Sequence, residues 1–197
     1  MSQSSFAITY DYLCPFARNA NEAVVVALEA GADWDVTFRP FSLQQNHNGD
    51  EELPVWDHAL DADMGSGVRA LLWSIAVRDE FPDSFLAFHT ALFAARHEDS
   101  LDIGAERVLR DVANAVALDD AAVAGVVATG MPQERLKDEH SSLIADFEVF
   151  GVPTFIAGDE AVFVRIMDRN NVADVTRVID MLEWTNLNEF KRTRIGR

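Results

Sequence analysis

Cys14 is the only cysteine in the chain, and its neighbours would make it a reactive one. The apolar run Phe6-Ala7-Ile8-Thr9-Tyr10 reads as a strand that ends just before it. Pro15, a favoured first residue of a helix, follows at once, and the stretch from Phe16 to Ala30 reads as that helix, with Gly31 as its stop. A thiol at a helix N-terminus faces unpaired backbone N–H groups and the positive end of the helix dipole. Both favour the thiolate, the nucleophilic form, so the expected pKa lies below that of a free cysteine. The opposing expectation for a lone cysteine is a small, buried, inert hydrophobe.

A few other residues could serve such a thiol. Tyr12 and Phe16 flank it and fit either an apolar wall for an aromatic substrate or the core. Asp11 would raise the pKa of a nearby thiol, but strand alternation does not fix the side it faces, so it receives no role. Arg165 and Arg169 could attract the carboxylate of a small thiol, or simply decorate the surface. His47, His58, His89, His97 and His140 show no metal-ligand spacing, and His89 reads as a satisfied core histidine on an apolar helix face. Gly65-Ser66-Gly67 is too short for a phosphate cradle and reads as a helix break. No metal site and no nucleotide site are expected.

The elements that must position the thiol fall into three blocks. Residues 1–53 read strand–helix–strand, the second strand near Trp34 to Arg39 and ended by Pro40, as in a right-handed βαβ unit with parallel strands. The polar stretch from Gln44 to Asp50 reads as a loop. Residues 54–147 are helical throughout, with apolar residues at helical spacing through Val68, Leu71, Leu72, Ile75 and Ala76 and again through Phe85, Phe88, His89, Leu92 and Phe93. Further helices are expected from Asp102 or Glu106 to Val116, from Asp119 or Asp120, and from the Gly130-Met131-Pro132 break to Phe150. Residues 148–197 return to strands: Thr154 to Ala157 and Ala161 to Ile166 around a Gly158-Asp159-Glu160 turn, then a helix capped by Asp168 or Asn171 and running through Trp184, then a short tail.

Composition bounds the partners. The 197 residues fit one domain with a large insertion, and 49% apolar residues suffice for a core. With 33 acidic against 16 basic residues, a net charge of −17 repels phosphate backbones and anionic lipid, so neither nucleic acid nor membrane is an expected partner. One cysteine allows no internal disulfide, and no secretory signal is visible, so a cytoplasmic location is expected.

The order βαβ, helices, ββα resembles a thioredoxin-like α/β fold carrying the large all-helical insertion of the DsbA family. Cys14-Pro15-Phe16-Ala17 stands at the position of that family's Cys-X-X-Cys motif. Gly151-Val152-Pro153-Thr154 stands where the family has a cis proline facing the thiol. The resemblance therefore implies a site built from Cys14, Pro15, Phe16, Tyr12, Val152, Pro153 and Thr154. Asp11-Tyr12-Leu13-Cys14-Pro15 and the tail Phe190-Lys191-Arg192-Thr193-Arg194 are similar to the actinobacterial branch that contains mycothiol-dependent nitroreductases. The architecture is also similar to kappa-class glutathione transferases and 2-hydroxychromene-2-carboxylate isomerases.

Ala17 departs from the pattern, because it occupies the place of the resolving cysteine. A dithiol enzyme releases its mixed disulfide with that second thiol. Here the second thiol must come from outside, which implies mycothiol or glutathione as co-substrate and no tightly bound cofactor. The leading expectation is a monothiol oxidoreductase acting on a disulfide or a small molecule. The alternatives are a thiol-dependent transferase, isomerase or nitroreductase on small aromatic or electrophilic compounds, and a catalytically degenerate thioredoxin-fold binding protein. The apolar inserted helices suit either a lid over the site or a homodimer face.

Overall fold

The computed structural model describes residues 4–49, 51–60, 63–184 and 186. Strands β1 (Ser4–Tyr10) and β2 (Trp34–Pro40) pair in parallel, from Ser4 opposite Trp34 to Tyr10 opposite Pro40. Helix α1 (Pro15–Glu29) makes the crossover that a parallel pair requires. Its chain turns away at Gly31, whose φ of +85° suits a residue without Cβ. Strand β3 (Thr154–Ala157) joins the other edge of β1 antiparallel, and β4 (Glu160–Phe163) folds back on β3 through Gly158. The sheet order is β2-β1-β3-β4, so β1, which delivers Cys14, is an inner strand.

Between β2 and β3 the chain forms the short helix α2 (Leu43–His47), a 3-10 turn at Val55–Asp57, and helices α3 (Ser66–Glu80), α4 (Pro82–His97), α5 (Glu106–Ala115), α6 (Asp120–Ala128) and α7 (Met131–Phe147). Helix α3 is buried almost all round, through Val68, Leu71, Leu72, Trp73, Ile75 and Ala76, and packs against α4, α6 and α7. A helix with no polar face must be surrounded in this way. Helix α8 (Val172–Leu182), N-capped by the Asn171 side chain, packs on α1, β3 and β4. Among the described residues no helix is long and apolar enough to cross a membrane.

Three local expectations change. The polar stretch after Ser42 is a helical turn, because the Ser42 hydroxyl accepts from Gln45 N at 3.1 Å and caps α2. Helix α7 stops at Phe147, where Glu148 turns left-handed at φ +53°, so Phe150 lies in a loop. Strand β4 ends at Phe163 instead of Ile166. Beyond it Val164 N donates to Pro153 O at 3.2 Å, and the carbonyls of Ile166 and Met167 accept from Asn19 Nδ2. The expected tail motif Phe190 to Arg194 lies outside the described residues.

Candidate active site

Cys14 is the N-cap of α1. Its carbonyl accepts from Arg18 N at 3.1 Å, its own N–H donates to Asp11 O at 3.1 Å, and its Sγ accepts from Ala17 N at 3.4 Å. Pro15 at the first helical position has no N–H to leave unpaired. The thiol is half-buried and donates to the carbonyl of Val152 at 3.4 Å. The peptide bond between Val152 and Pro153 is cis. Thr154, next along, is fixed on both sides: its N–H donates to Thr9 Oγ1 at 2.8 Å and its hydroxyl to Gly151 O at 2.8 Å. Through these bonds the β1 and β3 ends of the sheet bring Cys14 and Val152-Pro153 together.

Asp11 braces the loop from below. It is buried, with Oδ1 accepting from Leu13 N at 2.9 Å and Oδ2 from Leu43 N at 2.8 Å. One carboxylate thus ties the thiol loop to the start of α2. Helix α3 closes the far side at Gly67, where an added Cβ would lie 2.8 Å from Leu13 Cδ1. Burial pushes the Asp11 carboxyl pKa up, and the two backbone N–H groups work against that rise. Sequence reading gave Asp11 no role, and only its position three residues before the thiol marked it.

The expected thiolate shift is reversed. Burial pushes the Cys14 pKa up, and the Asp11 charge adds to that rise. The N–H groups of Ala17 and Phe16, with a smaller pull from Arg165, act in the expected direction but do not prevail. Loss of hydration outweighs the helix N-terminus here.

Tyr12 belongs to the core and not to a substrate wall. It is fully buried, and its hydroxyl lies 2.7 Å from both Ser74 Oγ and His89 Nδ1. Asn21 Oδ1 can only accept, so a neutral His89 carries its proton on Nε2, 3.1 Å away, and turns Nδ1 to Tyr12. His89 is thereby satisfied inside the core. Phe16 instead stays partly exposed beside the thiol, with the Arg165 guanidinium 5.3 Å from its ring centre. The same guanidinium lies 5.9 Å from the ring of Phe163, and Phe163 meets the exposed Phe150 at 4.9 Å between ring centres. Phe150 and Phe163 escaped sequence reading, because only the β4 turn-back and the end of α7 place them beside the Pro153 loop. Arg169 is not available to a ligand: it pairs with Glu22 and Glu98, which also hold Arg18.

A cleft of about 520 Å³ opens elsewhere, in the helical insertion, between Met64, Leu72, Trp73, Leu109 and Val127. None of the residues around Cys14 lines it. No group of three or more His, Cys, Asp or Glu suited to a metal ion occurs among the described residues.

The family profile of the DSBA-like thioredoxin domain matches residues 7–177, which include both Cys14 and the Pro153 loop. The chain belongs to that family. Among curated proteins this DSBA-like chain is similar to YwbO of Bacillus subtilis (strain 168), an uncharacterized protein, with 24% identity over 173 residues, 77% of this chain and 86% of YwbO. Among solved structures it is similar to a 2-hydroxychromene-2-carboxylate isomerase, at a TM-score of 0.66 and 16% identity, over 92% of this chain and 97% of that one. It is also similar to MdbA, a thiol-disulfide oxidoreductase from Actinomyces oris, at a TM-score of 0.64 and 18% identity, over 91% and 80% of the two chains. At these identities the structures speak for a shared fold.

Proposed function

We propose that this DSBA-like chain is a thiol oxidoreductase that works through Cys14 alone and takes its second thiol from a small molecule, mycothiol or glutathione. The observation that carries the reading is the thiol of Cys14 set on the α1 N-terminus against Val152 O, with buried Ala17 where a resolving thiol would stand. The Cys14 thiolate attacks one sulfur of a disulfide R–S–S–R′, forming a Cys14–S–S–R bond and releasing R′S⁻. A small thiolate then attacks the R sulfur, frees Cys14 as thiolate and leaves with R in a new disulfide. Electrons balance without any other reductant. The backbone beside Pro153 offers an edge along which the extended sulfur-bearing group aligns.

The raised thiol pKa bears on direction. A strongly oxidising member of this chemistry owes its potential to a stabilised reduced thiolate. At Cys14 burial offsets the pull of the Ala17 and Phe16 N–H groups, which supports thiol transfer over strong oxidation. The test is intact-mass analysis after oxidised glutathione: one adduct per chain, removed by free thiol, with Cys14→Ser unreactive. A protein that takes no adduct with any small disulfide would sink the reading.

A second reading rests on the same protonated thiol. A group that donates to Val152 O and accepts from Ala17 N can also orient the sulfur of a bound small thiol, as in a thiol-dependent transferase or isomerase. Cys14→Ser separates the two, since a serine hydroxyl keeps both bonds and would retain activity only in this second case. Unchanged ligand binding in Cys14→Ser with no turnover in either protein would instead favour a binding protein.

A further inference from the structure

In a chain this acidic the described arginines are mostly held by carboxylates, Arg18, Arg78 and Arg169 among them. Arg165 differs. It is exposed, it forms no ion pair with a described residue, and its contacts are the faces of Phe16 and Phe163. Its backbone is fixed just before and just after: Val164 N donates to Pro153 O at 3.2 Å, and Asn19 Nδ2 holds the carbonyls of Ile166 and Met167 at 3.0 Å. Those anchors are the cis-proline loop and helix α1, the two elements that also hold the thiol. A guanidinium held over two aromatic rings, with no carboxylate of a described residue on it, keeps N–H donors for an acceptor, and such a group matches a carboxylate two bonds at a time.

We propose that Arg165 is the anion-recognition residue of the Cys14 site, binding the carboxylate of an incoming thiol or disulfide while the ring surface of Phe16 and Phe163 that the guanidinium leaves uncovered meets its apolar part. The inference rests on the monothiol reading above. It names the substrate class as anionic, with carboxylate-bearing sulfur compounds preferred over neutral ones of the same size. Arg169, the other arginine of this segment, is excluded by its ion pairs with Glu22 and Glu98.

The test compares two aromatic disulfides, the dianionic dithiobis(nitrobenzoate) and the neutral dithiodipyridine, as reactants for Cys14. Both consume the same thiolate, so the ratio of their rates removes any effect of Arg165 on the thiol itself. Arg165→Met should lower that ratio about five- to tenfold at low salt, and Arg165→Glu should lower it further. The difference should shrink toward 1 M salt, where screening acts within about 3 Å. Arg177→Met, at an exposed position paired with Asp174, removes the same net charge and should leave the ratio unchanged. A ratio equal in wild type, Arg165→Met and Arg165→Glu overturns the inference while leaving the monothiol reading intact. A Cys14 that reacts with neither disulfide overturns both.

Discussion

Cys14 Sγ and Val152 O are 138 residues apart in sequence and 3.4 Å apart in the fold. The thiol donates its proton to that carbonyl, so ionisation removes a hydrogen bond and sets a negative sulfur against a negative oxygen. Half-burial and the charge of Asp11 act in the same direction. Cys14 should therefore titrate above the ordinary cysteine value of about 8.5, with alkylation by iodoacetamide still accelerating as pH rises past neutrality. Asp11→Asn should lower the midpoint, since it removes a like charge. It should also cost about 1–3 kcal/mol of stability, because one of the Leu13 and Leu43 N–H groups loses its acceptor. A wild-type midpoint below the free-cysteine value would show that the helix N-terminus prevails after all.

Ala17 is the residue that separates this chain from dithiol chemistry, and the change can be reversed. It lies three residues along α1 from Cys14, fully buried, with its N–H already on Sγ at 3.4 Å. Cα atoms three residues apart along a helix lie about 5 Å from each other, within the Cα span of roughly 4.4–6.8 Å that a disulfide closes. Ala17→Cys should thus resolve the mixed disulfide with glutathione internally, losing the adduct and both free thiols. The added sulfur in a packed site should cost about 1–3 kcal/mol. Thiol titration and intact mass would report it; a stable glutathione adduct on the variant would count against the assigned geometry.

What was legible in the sequence was local. Pro15 after an apolar strand announces the α1 start, Gly31 its end, and Gly158 the β3–β4 turn, because each residue acts through its own backbone conformation. The family likewise followed from two short segments, around Cys14 and around Pro153. The site's electrostatics did not follow, because desolvation of a thiol depends on what α3 and the Pro153 loop cover. Tyr12 was ambiguous for the same reason. It sits two residues from the thiol, yet the chain's turn after β1 directs it to Ser74 and His89. Helix α2 was hidden because its five residues bury no side chain; the Ser42 cap and Asp11 at Leu43 N hold it in place.

That assignment of Tyr12 separates it from Phe16. Tyr12→Phe leaves Ser74 and His89 short of a partner in the core and should cost about 1–3 kcal/mol in denaturant unfolding. The rate of Cys14 with dithiodipyridine should stay within about twofold. Phe16→Ala removes a partly exposed ring beside the thiol and should do the reverse, slowing the aromatic disulfide about three- to tenfold, the worth of one aromatic contact, with less effect on stability. Equal kinetic losses in the two variants would return Tyr12 to the site.

Two buried imidazoles set the acid limb of stability. Burial lowers the pKa of His89 to about 3 and that of His140 to about 4, from an ordinary value of 6.5. In the unfolded chain both regain the ordinary value, so below about 6.5 the unfolded state binds the extra protons. Stability should be flat in this respect above neutrality and fall as pH drops, toward 4 for His140 and toward 3 for His89, by several kcal/mol in all on the order of 1.4 kcal/mol per pH unit per group. Asp11 works the other way, because its raised carboxyl takes up a proton in the fold before it would in the unfolded chain. His140 is the better probe. It stacks on Phe41 at 4.3 Å, and its buried Nδ1 has no partner among the described residues, so the imidazole contributes shape without a bond at that atom. His140→Phe should keep the stack, match or exceed wild-type stability at pH 7, and flatten the acid limb between about pH 6.5 and 4. Urea unfolding at several pH values measures it, and a variant as acid-sensitive as wild type would show that His140 titrates normally in the fold.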